Sequence, residues 1–166
     1  CRQAPATGKA VLVDWSGRTN HGVNRGVTSV DMGVGPYVTQ SYNEAVRLDG
    51  SGDYLAGAHS TAVQPTTAIT MEAWVYPDTT GTQTIFAKGP GITPVYSFLL
   101  SGSNNTLRAT INGTFVTASR NIPFRQWTHV AFTYGASDSI YNFYVNGTHV
   151  KTGVWPVGAI PANTDS

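Results

Sequence analysis

The sequence is poor in charge. Charged residues make up 11% of its 166 residues, and the formal net charge is +1. It has no Lys/Arg cluster, which binding to nucleic acid or to an anionic membrane surface would require. Exposed helix faces usually need Glu, Lys and Arg, so the low charge also disfavours helices. We therefore expect neither nucleic acid nor a charged membrane as a partner.

Cysteine and long apolar runs are also scarce. Cys1 is the only cysteine, so no internal disulfide forms, and the fold depends on its core and its sheets. No apolar run approaches the ~20 residues that a membrane-spanning helix needs, and no secretory signal is visible, as in a mature or internal segment. Cys1 could carry a lipid or an intermolecular bridge. We favour the simpler interpretation that the segment merely begins there, because Arg2 is an unusual neighbour for an acylated cysteine.

What the sequence does contain is the pattern of a β protein. From Glu44 onward, short runs of Val, Ile, Phe, Tyr, Trp and Thr alternate with clusters of Gly, Asn, Asp and Pro. In residues 1–43 the one strong strand candidate is 11–15. We predict a single domain in which an irregular segment, 1–43, packs on a sandwich formed by 44–166. Strands are predicted near 45–49, 53–58, 68–76, 83–88, 95–101, 106–112, 114–119, 127–134, 139–146 and 148–153.

Two Asn-Gly pairs give the clearest local signals. Asn112-Gly113 and Asn146-Gly147 each lie between two alternating runs. Asn and Gly both tolerate positive φ, as a type I′ hairpin turn requires, so both pairs predict tight hairpins.

Several segments, in order, resemble one family. They are residues 14–22 (DWSGRTNHG), 46–54 (VRLDGSGDY), 68–78 (AITMEAWVYPD), 85–89 (IFAKG), 126–134 (QWTHVAFTY) and 143–147 (FYVNG). Together they are similar to the laminin G-like jelly roll, a concanavalin A-like domain. The resemblance implies an all-β fold, a two-sheet antiparallel jelly-roll sandwich.

The sequence departs from that family at both ends. Members commonly begin with a Tyr/Trp-rich strand and end with a Gly-x-Ile-Asp-Glu-Val-Arg-Ile-Tyr strand, and neither is visible here. We therefore expect a sandwich lacking its first and last strands. Such a sandwich leaves backbone groups unpaired at an edge, so that either further chain or another subunit supplies a strand.

No catalytic pattern is present. Glycosidases on this sandwich carry carboxylates at alternating positions of one strand, because acid and nucleophile must face the cleft together. Here Glu72 is followed at alternate positions by Trp74 and Tyr76. The sequence also lacks a Gly-x-Ser-x-Gly or His-Glu-x-x-His motif. We predict that the protein is not an enzyme.

Two carboxylates form a candidate calcium site. Asp49 and Asp53 bracket Gly50-Ser51-Gly52, and Ca²⁺ takes six to eight oxygen ligands. The alternative, which we favour, is an Asx-type turn in which the carboxylates accept backbone hydrogen bonds. Similar jelly rolls often bind calcium, so Ca²⁺ remains a candidate cofactor.

Other candidate sites concern glycans. Sugar recognition needs exposed aromatic faces beside polar groups, and the candidates are Tyr37, Tyr42, Tyr54, Tyr96 and Trp155. The four histidines show no metal spacing. Asn-x-Thr sequons, which accept N-linked glycans only in a secreted protein, occur at Asn104, Asn112 and Asn146.

These features together predict an extracellular or cell-surface module without catalytic activity. We expect it to act in adhesion or as a structural subunit of a surface assembly or fibre, with inter-subunit strand complementation as the mechanism. Its partners would be other protein subunits, glycans or both. A calcium-dependent carbohydrate-binding module is the alternative, and a virion surface protein is a further one.

Overall fold

The computed structural model of the chain describes residues 11–12, 21–25, 32–34, 44–89 and 94–163. The described residues form thirteen strands and one 3-10 helix, and every strand pairing is antiparallel. They belong to two compact units, Cys1–Ala62 and Val63–Asp165. Among these residues, no helix has the length and apolar character that a membrane span needs.

The first unit contains two small sheets. Strands β1 (Val11–Leu12), β2 (Gly22–Arg25) and β5 (Tyr54–Gly57) form one of them, in the order β1-β2-β5. Strands β3 (Met32–Val34) and β4 (Glu44–Val46) form the other. The strand predicted at 11–15 is described only at Val11–Leu12. Between the units in sequence, a 3-10 helix spans Thr61–Val63.

The second unit is a sandwich of two four-stranded sheets. One sheet has the order β10-β9-β8-β7 and the other β13-β12-β11-β6. All eight strands lie where the sequence predicts them, within two residues at each end. Their bounds are β6 Ala68–Val75, β7 Gln83–Lys88, β8 Tyr96–Ser101, β9 Thr106–Ile111, β10 Thr114–Asn121, β11 Thr128–Gly135, β12 Ile140–Val145 and β13 Thr148–Val154.

Alternating apolar residues form the core between these sheets. Phe98 of β8 lies 6.3 Å from Phe132 of β11 and 6.5 Å from Phe143 of β12, measured between ring centroids. All three rings are fully buried, and burying a side chain of this size contributes ~1.5–3 kcal/mol. Lys151 of β13 also bridges the sheets, because its Nζ donates to the Thr117 carbonyl oxygen at 2.7 Å. The predicted two-sheet antiparallel sandwich is confirmed.

Both predicted Asn-Gly hairpins are present. At the β9–β10 turn, Asn112 and Gly113 have φ values of 49° and 75°, and at the β12–β13 turn Asn146 and Gly147 have φ values of 50° and 74°. Positive φ at both central residues is the geometry of a type I′ turn. These turns fix the strand register, because Ile111 faces Thr114 and Val145 faces Thr148.

Strand β6 lies at the edge of its sheet. It pairs with β11 over its whole length, from Ala68 opposite Gly135 to Val75 opposite Thr128. No strand among the described residues pairs with its other side. The predicted division of the chain at residue 43, and the packing of residues 1–43 on the sandwich, remain predictions.

Candidate functional site

The outer face of the β6–β11 pair carries a row of exposed rings. Alternation along β6 directs Ile69 and Met71 into the core, so that Glu72 and Trp74 face outward. The register places Trp74 opposite His129, and just beyond the strands Tyr76 contacts Trp127. We call the four residues Trp74, Tyr76, Trp127 and His129 the aromatic stripe.

Close contacts hold the stripe in place. The Trp74 and His129 ring centroids are 5.4 Å apart in an edge-on arrangement, and those of Tyr76 and Trp127 are 5.5 Å apart. Such ring pairs stabilise one another beyond the area that they bury. Trp74 is nevertheless 40% exposed and Tyr76 46% exposed. The stripe therefore presents ordered aromatic surface to solvent.

Charged groups lie at both ends of the stripe. At one end the His129 Nε2 is 3.7 Å from a carboxylate oxygen of Glu72, whose side chain is 65% exposed. At the other end the Arg125 Nε donates to Asp78 Oδ1 at 2.8 Å. The Arg125 backbone N–H donates to the Pro77 carbonyl oxygen at 2.9 Å, which joins the segment before β11 to the end of β6. The stripe thus lies between the Glu72–His129 contact at one end and the Asp78–Arg125 ion pair at the other.

Glu72 stands apart from other carboxylates on this face. Ala131 is its cross-strand partner, and its outward neighbours along β6 are Thr70 and Trp74. Within the described ranges, no group of three or more His, Cys, Asp or Glu side chains is placed to hold a metal ion. The face therefore offers rings and hydrogen-bonding groups, which suit binding.

The candidate calcium loop of the first unit has Asx-turn hydrogen bonds. Asp49 Oδ1 accepts the Ser51 backbone N–H at 2.7 Å, and the Asp49 backbone N–H donates to Asp53 Oδ2 at 3.3 Å. Gly50 and Gly52 adopt φ values of 81° and 83°, which the turn requires. The Asx-type turn that we favour from the sequence thus accounts for these hydrogen bonds. A calcium ion at Asp49 and Asp53 remains a prediction.

The aromatic residues proposed from the sequence have different environments. Trp155 is 7% exposed and packs edge-on against Phe132, Tyr134 and Tyr141, so its ring lies in the core, and its assignment to a ligand site remains a prediction. Tyr96 is half-buried, and its hydroxyl donates to the Val63 carbonyl oxygen at 3.0 Å. Burial raises the pKa of Tyr96 above its ordinary value. Tyr54 is 55% exposed, while Tyr37 and Tyr42 lie outside the described residues.

Sequence reasoning did not single out the stripe as a candidate site. The available signal was the spacing of Trp74 and Tyr76, two residues apart in the sequence, which puts both rings on one face of extended chain.

All three sequon asparagines, Asn104, Asn112 and Asn146, are exposed in turns between strands. Their glycosylation remains a prediction.

The comparison with protein families agrees with this fold. A laminin G family model, described as concanavalin A-like lectin/glucanases superfamily, matches residues 49–166. A search of curated proteins finds no match. Among solved structures, the chain resembles a Bacteroides ovatus protein provisionally described as carbohydrate binding, with 16% identity and a TM-score of 0.49. It also resembles a heptameric SAP-like pentraxin from Limulus polyphemus, with 21% identity and a TM-score of 0.42.

These likenesses are partial. The alignments cover 74% and 60% of this chain, and the chain spans 41% of the Bacteroides ovatus protein and 52% of the pentraxin. The family match, in contrast, covers more than half of the sequence and includes all of β6 to β13. The chain therefore belongs to the concanavalin A-like lectin/glucanases superfamily.

Proposed function

We propose that this protein is a non-catalytic, extracellular module that acts through its interfaces, in adhesion or as a structural subunit of a surface assembly. The observation that carries the proposal is that no strand among the described residues pairs with the outer side of β6. In this mechanism a β-strand of another subunit adds to β6 and extends the β13-β12-β11-β6 sheet. The added strand forms main-chain hydrogen bonds with β6, and its alternate side chains determine the register.

Strand β6 lacks the features that usually protect a sheet edge. Its eight residues, AITMEAWV, include no Pro, Gly or Lys, and Glu72 is the only charged residue. Short edge strands, lysines, prolines and bulges are the common means of preventing edge-to-edge association. An edge of this length without them is well suited to receive a strand.

The other three edge strands of the sandwich differ from β6 in regularity. The β10–β9, β12–β13 and β7–β8 pairings each contain a register shift. The β6–β11 pairing contains none. Because irregular pairing twists and interrupts an edge, β6 is the best template for an added strand within the part of the sandwich that the structure describes.

Two further observations support the non-catalytic role and the extracellular location in the proposal. Glu72 alternates with Trp74 and Tyr76 where a glycosidase strand would carry further carboxylates, which favours binding over hydrolysis. The three sequon asparagines are exposed, which suits a secreted glycoprotein.

The experiment measures the mass of the purified chain by native mass spectrometry and light scattering over a range of concentrations. We expect species larger than a monomer whose abundance rises with concentration. The variant T70K places a lysine on the exposed face of β6 and should abolish these species. The matched control T84K, at an exposed position of the irregular edge strand β7, should leave them intact. A monomer at every concentration, or assembly that T70K leaves unchanged, would refute the proposal.

A calcium-dependent carbohydrate-binding module is the second candidate. One observation favours it, which is that Tyr54, 55% exposed, directly follows Asp53 of the candidate calcium loop. A sugar could then stack on Tyr54 while a calcium ion at Asp49 and Asp53 binds its hydroxyl groups. Calcium titration by calorimetry tests this, and D49N and D53N should abolish the signal. An unchanged signal in both variants, or none in the wild type, would exclude calcium at this loop.

A further inference from the structure

We propose that the outer face of the β10-β9-β8-β7 sheet carries a binding site for a carboxylate of an acidic polypeptide segment. The site consists of Ser97, Arg108, Thr110 and Phe115, and we call it the Arg108 site. It does not depend on strand addition at β6, because its residues lie on β8, β9 and β10 of the other sheet. It also uses no residue of the aromatic stripe or of the candidate calcium loop.

Strand alternation and register bring the four residues together. Ala109 of β9 is buried in the core, so its neighbours Arg108 and Thr110 face outward. Ser97 of β8 and Phe115 of β10 are the cross-strand partners of Thr110 on its two sides. Arg108, two residues along β9, is a diagonal neighbour of both, which a long side chain can reach. The four side chains therefore form one cluster on the outer face.

Two hydrogen-bond donors of this cluster have no partner. Among the residues that the structure describes, Ser97 Oγ and Arg108 Nε are the buried side-chain nitrogen and oxygen atoms that make no hydrogen bond. Ser97 as a whole is 2% exposed. Buried polar groups are nearly always paired, because an unpaired one loses its hydrogen bonds to water without replacement. Two such donors on adjacent strands indicate a ligand that carries acceptor oxygens.

The charge of the sheet favours an anion. Between Asp78 and Asp138 the sequence contains no Asp or Glu, so strands β7 to β10 carry no carboxylate. The cations on these strands are Lys88, Arg108 and Arg120. Arg108 therefore has no negative neighbour within its own sheet, and its guanidinium stays charged. A surface with charges of one sign attracts a ligand of the opposite sign.

The Phe115 ring orders the guanidinium and shields one of its faces. Arg108 Cζ lies 3.6 Å from the ring centroid, which is a cation–π contact. Because Nε is bonded to Cζ, the same ring lies close to the unpaired Nε. Phe115 is 54% exposed, so the ring can turn into solvent. A ligand that displaces it gives up this one contact and gains hydrogen bonds to both unpaired donors.

A carboxylate matches these donors in geometry and in charge. The Nε–H and one Nη–H of an arginine form a planar fork that binds both carboxylate oxygens, and the Ser97 hydroxyl supplies a further donor. One guanidinium balances one negative charge, whereas a phosphate monoester carries about −1.5 to −2 at pH 7. Arg108 is the only charged residue on β8 and β9, so the site does not offer the several cations that a sulfated chain requires.

A glutamate side chain of a partner protein also fits the apolar part of the site. Two methylene groups precede its carboxylate, and they can pack on the exposed ring of Phe115 while the carboxylate contacts Arg108. The site thus combines one apolar surface with convergent donors. We therefore assign it to a glutamate in an extended acidic segment.

The test is fluorescence anisotropy with a labelled heptapeptide in which Glu alternates with Ala. Its matched control has Gln in place of each Glu, and the further probes are the same peptide with phosphoserine in place of Glu, and heparin. We expect the Glu peptide to bind at least tenfold more tightly than the Gln peptide and more tightly than the other two probes. Equal affinity for the Glu and Gln peptides, or tighter binding of phosphoserine peptide or heparin, would overturn the proposal.

Variants locate the site on the sheet. R108A and R108K should each weaken binding of the Glu peptide at least tenfold, because lysine keeps the charge but lacks the fork. S97A should weaken it at least threefold, because it removes one donor. The control R120A removes a positive charge from an exposed position of the same sheet and should bind as the wild type does.

Thermal unfolding identifies a variant that fails to fold, and the smaller changes R108K and S97A then carry the test. Wild-type affinity in folded R108A, R108K or S97A would overturn the proposal. An equal loss of affinity in R120A would also overturn it, because the binding would then depend on net charge alone. R108A should leave the assembly mass unchanged, so that this proposal and the proposed function fail separately.

Discussion

Asn146 and His129 exchange two hydrogen bonds across the second sheet. The His129 backbone N–H donates to Asn146 Oδ1 at 2.9 Å, and the Asn146 backbone N–H donates to the His129 carbonyl oxygen at 2.8 Å. The tip of the β12–β13 hairpin is thereby attached to β11 beside the aromatic stripe. Asn146 consequently serves two purposes, since it also adopts the positive φ of the turn.

We predict that N146A destabilises the protein more than N112A does. Both asparagines occupy the same position of a type I′ turn, with φ values of 50° and 49°, so both variants bear a similar backbone cost. N146A additionally leaves the His129 N–H without its acceptor. The difference should be ~1 kcal/mol, the net contribution of one hydrogen bond. Urea unfolding of both variants measures it, and equal losses of stability would contradict the role assigned to Asn146.

The eight strands of the sandwich could be predicted from the sequence because the signals for them are local. Alternation in β11 and the Asn-Gly pairs before β10 and β13 act within a few residues of chain. Strand order is not local. That β6 lies at an edge depends on which strands pair, and the exposure of Trp74 and Tyr76 depends on what covers the outer face of the sheet.

Trp155 is a residue whose burial could not be predicted from the sequence. It follows the last predicted strand and precedes Pro156, a context typical of an exposed loop. In the structure its backbone N–H donates to the Ser139 carbonyl oxygen at 2.7 Å, and its ring packs against Tyr134 and Tyr141. The Asn146-Gly147 hairpin places Trp155 beside Ser139, but the contact of its ring with Tyr134 depends on the pairing of β11 with β12, which no local pattern encodes.

We therefore predict that W155A impairs folding rather than ligand binding. Removing a large buried aromatic side chain leaves a cavity and typically costs ~3–5 kcal/mol. Chemical denaturation measures the loss. The folded fraction of W155A should retain whatever carbohydrate affinity the wild type shows, because the ring lies in the core. A folded W155A protein of normal stability and reduced affinity would instead support the assignment of Trp155 to a ligand site.

Gly153 of β13 should be intolerant of a side chain. A Cβ at this position would lie 2.6 Å from the Tyr141 hydroxyl oxygen and 2.7 Å from two carbons of its ring. The Tyr141 ring is 6% exposed and surrounded by Phe132, Phe143 and Trp155, so it has little room to move. We expect G153A to destabilise the protein by ~1–3 kcal/mol, the usual range for overpacking.

G135A is the matched control for that variant. A Cβ at Gly135 would lie 2.9 Å from Asp138 Oδ1, the end of an exposed side chain, whose displacement costs its hydrogen bond from the Ile140 backbone N–H, ~1 kcal/mol. Neither glycine has a φ value that disfavours alanine. The loss of stability should therefore be smaller in G135A than in G153A. A larger loss in G135A would show that the Tyr141 ring can move aside.

The last prediction concerns the alkaline stability of the sandwich. Burial raises the pKa of Tyr96 above its ordinary value of 10.0, because the phenolate is less well solvated in the folded state. The folded protein thus binds the phenol proton more tightly than the unfolded chain does. The stability that depends on Tyr96 is fully present below the unfolded pKa and falls as the pH rises from about 10 towards the folded pKa.

Comparison with Y96F isolates this effect from the other tyrosines and the lysines. At neutral pH, Y96F should be less stable by ~1 kcal/mol, because the hydrogen bond to the Val63 carbonyl oxygen is lost. Above pH 10 the wild type should lose stability more steeply than Y96F, so that the two free energies of unfolding converge. Urea unfolding between pH 7 and about pH 11 measures both curves. Parallel curves over this range would show that ionisation of Tyr96 is not linked to folding.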